Sequence, residues 1–107
     1  MNKKLQMEIN EFCEHEFDLA MKEFDELRGT GYCSYEKFRS CSAEIIFLKN
    51  YVLLRSYNTI VACISMHTFI CFDLLRKVYG YTSTSAQHIA KFKHDFGAGQ
   101  TYTWRYV

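Results

Sequence analysis

The chain has 107 residues, 49% hydrophobic and 23% charged, with a formal net charge of +1. These values suit one folded domain, which at this size buries about two-thirds of the surface its unfolded chain exposes. The chain has no proline, and its longest nearly apolar run, Ile60 to Phe72, contains Ser65, His67 and Thr68. That excludes a PxxP ligand and falls short of the roughly 20 apolar residues that span a bilayer.

Five cysteines, an odd number, follow an opening MNKKLQMEINEF that offers no apolar signal-peptide run. A disulfide framework is not expected, and the thiols read as reduced in a cytoplasmic setting. The nine Phe, eight Tyr and one Trp exceed what so small a core easily encloses. Some are expected at the surface, where aromatics favour interfaces; the plainer reading is a β-rich core filled with rings.

From about Lys3 to Arg28 the period is helical. Leu5, Ile9, Phe12, Cys13, Phe17, Ala20, Phe24 and Leu27 recur at gaps of three and four and make one apolar stripe. Gly29 supplies the stop. The opposite face carries Glu8, Glu11, Glu14, Glu16, Asp18, Glu23, Asp25 and Glu26 against Lys3, Lys4, Lys22 and Arg28, so residues 1–28 sum to −4. Residues 29–107 hold nine basic and four acidic side chains, a net +5. A solvated helix face explains this division. So does a carboxylate row, Glu8, Glu11, Glu14, Asp18 and Asp25, that meets a basic groove on a partner.

Gly29-Thr30-Gly31 breaks the helix, and Ser34 to Arg39 could form a helical turn. Glu44 to Leu48 reads as a strand that Lys49-Asn50 reverses into Tyr51. The stretch Tyr51 to Leu75 then predicts three antiparallel strands: Tyr51–Ser56, Ile60–Ser65 and Phe69–Leu75. Asn58 suits the first reversal, since asparagine tolerates the left-handed conformation of a tight hairpin. With Met66-His67-Thr68 as the second loop, Cys63 lies opposite Cys71 and Ile64 opposite Ile70. The middle strand is apolar on both sides, with Ile60, Ala62 and Ile64 on one and Val61 and Cys63 on the other. It is therefore expected to be central, with something packed on each face.

In TSTSAQHIAKFKHDFG, Thr84 and Gln87 form a capping box and Gly97 a stop. Ser85, Ile89, Phe92 and Phe96 would pack on the sheet, while His88, Lys91 and Asp95 project from another side. Thr101 to Val107 alternates and reads as a last strand, with Tyr102, Trp104 and Tyr106 sharing one face. The fold class is α+β: a long N-terminal helix, an antiparallel sheet of four to five strands, and a second short helix before the last strand. Residues 1–107 form one domain, with 1–28 the acidic helix and 44–107 the sheet plus helix.

Chemistry is thinly marked. Cys71, His67 and Asp73 hold the residue types of a cysteine nucleophile site, but no cleft is evident around them. The four histidines make neither HxH nor HExxH, and the cysteine spacings match no zinc site. Neither GTG nor GAG is a phosphate-binding loop. No enzymatic activity, metal or cofactor is expected. Nucleic acid is a less favoured partner: Arg55, Arg76, Lys77, Lys91, Lys93 and Arg105, with Tyr79, Tyr81, Tyr102 and Trp104, could make a basic surface with stacking platforms. No RNP motif, KH loop or zinc finger accompanies them.

Ser56 to Ala62 (SYNTIVA) and Tyr81 to Phe92 (YTSTSAQHIAKF) resemble a segment of small uncharacterised bacteriophage and mobile-element proteins. In those, a hairpin with a Ser-Tyr-Asn-Thr turn precedes a helix that starts Tyr-(Ser/Thr)-x-Thr-(Ser/Thr)-x-x-His-Ile. The matching positions are Ser56, Tyr57, Asn58, Thr59, Tyr81, Thr84, Ser85, His88 and Ile89, within residues 51–97. The resemblance implies fold and phage-type origin rather than activity, and by analogy the anti-CRISPR class of host-defence inhibitors. On that reading the partner is a host protein, such as a Cas effector whose positive channel holds nucleic acid. The place of action is the host cytoplasm, without membrane attachment. Surface aromatics also suit a homodimer.

Overall fold

Apolar side chains recurring every three to four residues close into helix α1, Lys3–Leu27, capped by Asn2, whose side chain accepts from the Lys4 amide at 2.7 Å. The computed structural model describes residues 2–38, 40–78 and 82–107. Five strands follow: β1 Ser34–Phe38, β2 Ser40–Phe47, β3 Tyr51–Ser56, β4 Thr59–Ser65 and β5 Ile70–Asp73. A turn of helix, α2 Leu75–Val78, and then α3 Ser83–Asp95 lead to β6, Gln100–Thr103. All six strands lie in one sheet in chain order, antiparallel from β1 to β5, with β6 parallel to β5. The α+β class is as expected, with six strands and one parallel pair where a purely antiparallel sheet of four to five was read. Parallel neighbours need a crossover, which α2 and α3 supply.

The two long helices cover opposite faces of the sheet. Ala43, Ile45, Val52, Leu54, Ala62, Ile64 and Cys71 pack with Ile89 and Phe92 of α3. Ile46, Leu53, Cys63 and Phe72 pack with Cys13, Ala20 and Phe24 of α1. The expectation that β4 is covered on both sides therefore holds. Burying one such side chain stabilises by about 1.5–3 kcal/mol, against about 0.5–1.5 kcal/mol for a typical hydrogen bond. Double-sided apolar burial is thus the main force that orders β3 and β4.

Local details depart from the sequence reading. Cys63 pairs with Phe72 and Ile64 with Cys71, so Cys63 and Cys71 are not opposite one another, nor are Ile64 and Ile70. The cause is Phe69, which takes φ 57° and donates its amide to the Ser65 carbonyl at 2.8 Å, making the loop one residue longer. The slip sends Cys63 toward α1 and Cys71 toward α3, and both are free thiols. In the β3–β4 hairpin, Leu54 pairs with Ala62 but Arg55 with Ile60, leaving Val61 as a bulge. Ile60 therefore joins Cys63 on the α1 side instead of Ala62 and Ile64. The left-handed residue of the turn is Tyr57, φ 57°, rather than Asn58.

Boundaries differ as well. Ser34–Phe38 is an edge strand and not a helical turn; Arg39 lies outside the described residues. β5 stops at Asp73 and β6 at Thr103. Helix α3 is capped by Thr82, whose hydroxyl accepts from the Ser85 amide at 3.3 Å, not by Thr84. His88 is buried with Ser85, Ile89 and Phe92 instead of projecting outward. On α1, Leu5 and Phe12 fall off the buried stripe and Gln6 falls on it.

Candidate functional site

The carboxylates of α1 divide into three that the fold uses and others that it leaves in solvent. Glu16 accepts from the Tyr51 hydroxyl at 2.6 Å, and Glu23 accepts from the Asn50 amide at 2.9 Å and its side chain at 2.6 Å. Glu14 meets Lys77 Nζ at 2.9 Å. Asp25 lies 4.0 Å from Arg28 on the same helix, an exposed pair of little energetic weight. Glu8, Glu11, Asp18 and Glu26 are exposed, with no ion-pair or hydrogen-bonded partner among the described residues. Lys4, His15 and Lys22 are exposed on the same helix. Of the five positions read as partner-contacting, then, Glu8, Glu11 and Asp18 stand unpaired, while Glu14 and Asp25 are engaged within the chain.

Beside this row runs another, of which the sequence reading placed Leu5 and Phe12 inside. Leu5, Phe12 and Leu19 recur every seven residues, which returns them to one side of the helix, and they are 47%, 54% and 41% exposed. Two grooves flank them. One, of about 340 Å³, is lined by Leu5, Glu8, Ile9, Phe12 and Tyr102. The other, of about 380 Å³, includes Leu19, Glu23, Glu26, Tyr51 and His67. The seven-residue spacing was visible in the sequence; what hid it was that Leu5 and Phe12 also fit a broad core-facing stripe, from which Leu19 was left out. Exposed Tyr32, Tyr35, Tyr57 and Tyr106 lie on other elements, so the apolar anchors beside the carboxylates are Leu5, Phe12 and Leu19.

The basic residues read as an alternative nucleic-acid surface do not form one surface. Arg55 pairs with Glu44 across β2 and β3 and sits 6.0 Å over the Tyr35 ring. Lys77 is held by Glu14 and lies 5.9 Å from the Phe17 ring. Lys91 is exposed on α3. Tyr102 and Trp104 pack on the α1 side of the sheet, and Tyr79 and Tyr81 lie outside the described residues. Only Arg76, Lys93 and Arg105 come together, in a cleft they share with Asp73.

Buried polar and thiol groups complete the inventory. Burial pushes the Cys13 and Cys71 thiols up to about 12 and Cys63 well above its usual value, so all three are protonated at neutral pH. His67 sits in the β4–β5 turn, 2.8 Å from the Asn50 side-chain oxygen, while Cys71 and Asp73 are on β5. Among the described residues no three His, Cys, Asp or Glu side chains converge as metal ligands, and no helix is long and apolar enough to cross a membrane.

The sequence reading missed a buried trio: Ser56 Oγ lies 2.8 Å from Ser85 Oγ and 3.1 Å from His88 Nδ1. Ser56 is fully buried and Ser85 nearly so; a substrate cannot reach them, and the trio fastens α3 to the end of β3. Burial first, then Lys91, lowers the His88 pKa from 6.5. A folded value below the unfolded one means stability that is present above the unfolded pKa and lost as the pH falls through the folded one. Urea midpoints are therefore expected to fall as the pH drops below 6.5, and His88→Asn, which offers an acceptor in place of Nδ1, is expected to flatten that slope. An unchanged slope in the variant would assign the pH dependence elsewhere.

Compared with protein-family models, curated proteins and solved structures, the chain matches none.

Proposed function

We propose that this chain is a non-catalytic binding protein that lays the exposed face of α1 on a positively charged surface of another protein. The observation that carries the reading is a set of side chains. Glu8, Glu11, Asp18 and Glu26 have no partner among the described residues, and Leu5, Phe12 and Leu19 stand exposed next to them. Apolar anchors supply contact area, while the carboxylates steer the encounter and select a basic partner. A partner built to hold nucleic acid has such a surface, and a row of carboxylates can occupy it in place of phosphates. Within this class the reading we favour is inhibition of a host nuclease complex in the anti-CRISPR manner, by a phage-encoded chain acting in the host cytoplasm.

The test is affinity capture from host lysate with the wild-type chain and with Glu8→Lys, Glu11→Lys and Asp18→Lys combined. These three positions leave the internal pairs of Glu14, Glu16 and Glu23 untouched, so the fold is expected to survive, as circular dichroism would show. The wild type should retain a basic protein that added duplex DNA displaces, and the reversed variant should bind it at least about tenfold more weakly, a difference of about 1.4 kcal/mol. Equal capture by both chains, or recovery of nucleic acid alone, would sink the reading.

A further inference from the structure

The parallel pairing of β5 and β6 produces a site that no single stretch of the sequence announces. Where two strands run parallel, the chain leaves both at the same end, and in open α/β sheets ligands bind in the crevice beyond those carboxyl ends. Here that end carries Asp73 on β5, Arg76 on α2, and Thr103 and Arg105 on and after β6, with Lys93 of α3 leaning over them. They line a cleft of about 200 Å³. That is smaller than the roughly 300–1,000 Å³ of pockets for drug-sized ligands and matches one small charged group.

The charge balance of the cleft is three cations to one carboxylate. Neither Lys93 nor Arg105 has an ion-pair partner among the described residues. Asp73 is partly engaged already: its side chain accepts from the Leu75 amide at 3.1 Å, and its carbonyl accepts from the Trp104 amide at 2.9 Å. Burial raises the Asp73 pKa, and the Leu75 amide, Lys93, Arg76 and Arg105 only oppose it. Lys93 and Arg105 thus offer positive charge that no ion pair among the described residues takes up, and Thr103 adds a hydroxyl to the lining. Guanidinium and ammonium groups around a small recess are the donors that phosphate oxygens take.

We propose that the cleft between Asp73, Arg76, Lys93, Thr103 and Arg105 binds a phosphoryl group. The group belongs either to a free nucleotide or to a nucleic-acid backbone. This site lies on the α3 side of the sheet and is independent of the α1 face.

The proposal is tested by isothermal titration calorimetry of the full chain with inorganic phosphate, with adenosine 5′-monophosphate and with a single-stranded oligothymidine, at low and at physiological salt. Binding is expected to weaken as salt rises. Lys93→Gln and Arg105→Gln should each reduce affinity by about tenfold, and Asp73→Asn should increase it. Lys37→Gln, on β1 at the far edge of the sheet, serves as the control for loss of one positive charge and should bind as wild type. Phosphate and the mononucleotide binding without the oligonucleotide assigns a small ligand; tighter binding of the oligonucleotide assigns the backbone. No heat with any probe, or Lys93→Gln and Arg105→Gln that both bind as wild type, overturns the proposal. Amide shifts at Lys93, Thr103 and Arg105 on adding phosphate give a readout that a merely structural role for these residues would not produce.

Discussion

Phe72→Ala is expected to destabilise the chain by about 3–5 kcal/mol, a large share of the roughly 5–15 kcal/mol by which native domains are commonly stable. Phe72 is 1% exposed and central to three elements. It pairs with Cys63 on β4 and with Tyr102 on β6, while its ring stacks on Phe12 of α1 at 6.4 Å. The Tyr102 ring meets it edge-on at 6.1 Å. Truncation removes the apolar contacts and leaves a cavity that neighbouring strands cannot close without breaking their ladders. Phe12→Ala removes one ring of the same cluster but from a half-exposed position, and is expected to cost about 1 kcal/mol. Urea unfolding followed by circular dichroism distinguishes them: Phe12→Ala should keep a cooperative transition near the wild-type midpoint, and Phe72→Ala should unfold at a much lower urea concentration. Equal midpoints would mean that α1 is not seated on β5 as described.

How much of this was legible in the sequence depends on whether a feature is local. Helix α1 showed in the spacing of Ile9, Cys13, Phe17, Ala20, Phe24 and Leu27, and α3 in Ser85, Ile89 and Phe92, because burial on one side imposes a period. Double-sided cover of β4 showed in the unbroken apolar run from Ile60 to Ile64. Strand β1 did not show: Ser34, Tyr35, Glu36 and Lys37 are all exposed, so no alternation marks them, and pairing with β2 alone makes the strand. Phe69 and Tyr57 adopt left-handed backbone conformations that their side chains disfavour. Composition therefore gave no hint of the longer β4–β5 loop that shifts the Cys63 register.

The site features were less legible still. Arg76, Lys93 and Arg105 are widely separated in the chain and meet because β6 returns parallel to β5. A four-residue strand such as QTYT carries no signal of its direction. The acidic character of α1 was plain from counting, yet which carboxylates stay free was decided by Tyr51, Asn50 and Lys77, residues on other elements that capture Glu16, Glu23 and Glu14.

Joint replacement of Gln6 and Asn10 by alanine is expected to free the C-terminal strand while the centre of the sheet stays folded. The two ends of the chain are clipped together by a polar ladder on the inner face of α1. Gln6 Nε2 donates to Asn10 Oδ1 at 2.8 Å and to the Thr103 carbonyl at 3.0 Å. Asn10 Nδ2 donates to the Arg105 carbonyl at 2.8 Å and its Oδ1 accepts from the Arg105 amide at 3.0 Å. One helical turn further on, Cys13 Sγ approaches the Tyr102 carbonyl at 3.6 Å. Gln6 is 5% exposed, so its loss leaves the Thr103 carbonyl poorly satisfied, at about 1–3 kcal/mol; the more exposed Asn10 bonds add about 1 kcal/mol. Strand β6 is the edge of the sheet and has only β5 as a ladder partner, so a loss of about 2–4 kcal/mol falls on an element otherwise held by that ladder and by the packing of Tyr102 and Trp104. Native-state hydrogen exchange should therefore accelerate about 30-fold to 1,000-fold at the amides of Thr101 to Arg105, with Val52, Leu54, Ala62 and Ile64 nearly unchanged. Acceleration spread evenly over β3, β4 and β6 would show that the ends unfold only with the whole chain. The same variant should lose phosphate binding, because Thr103 and Arg105 reach the cleft only while β6 is docked; Lys93 and Arg76 would remain in place without them.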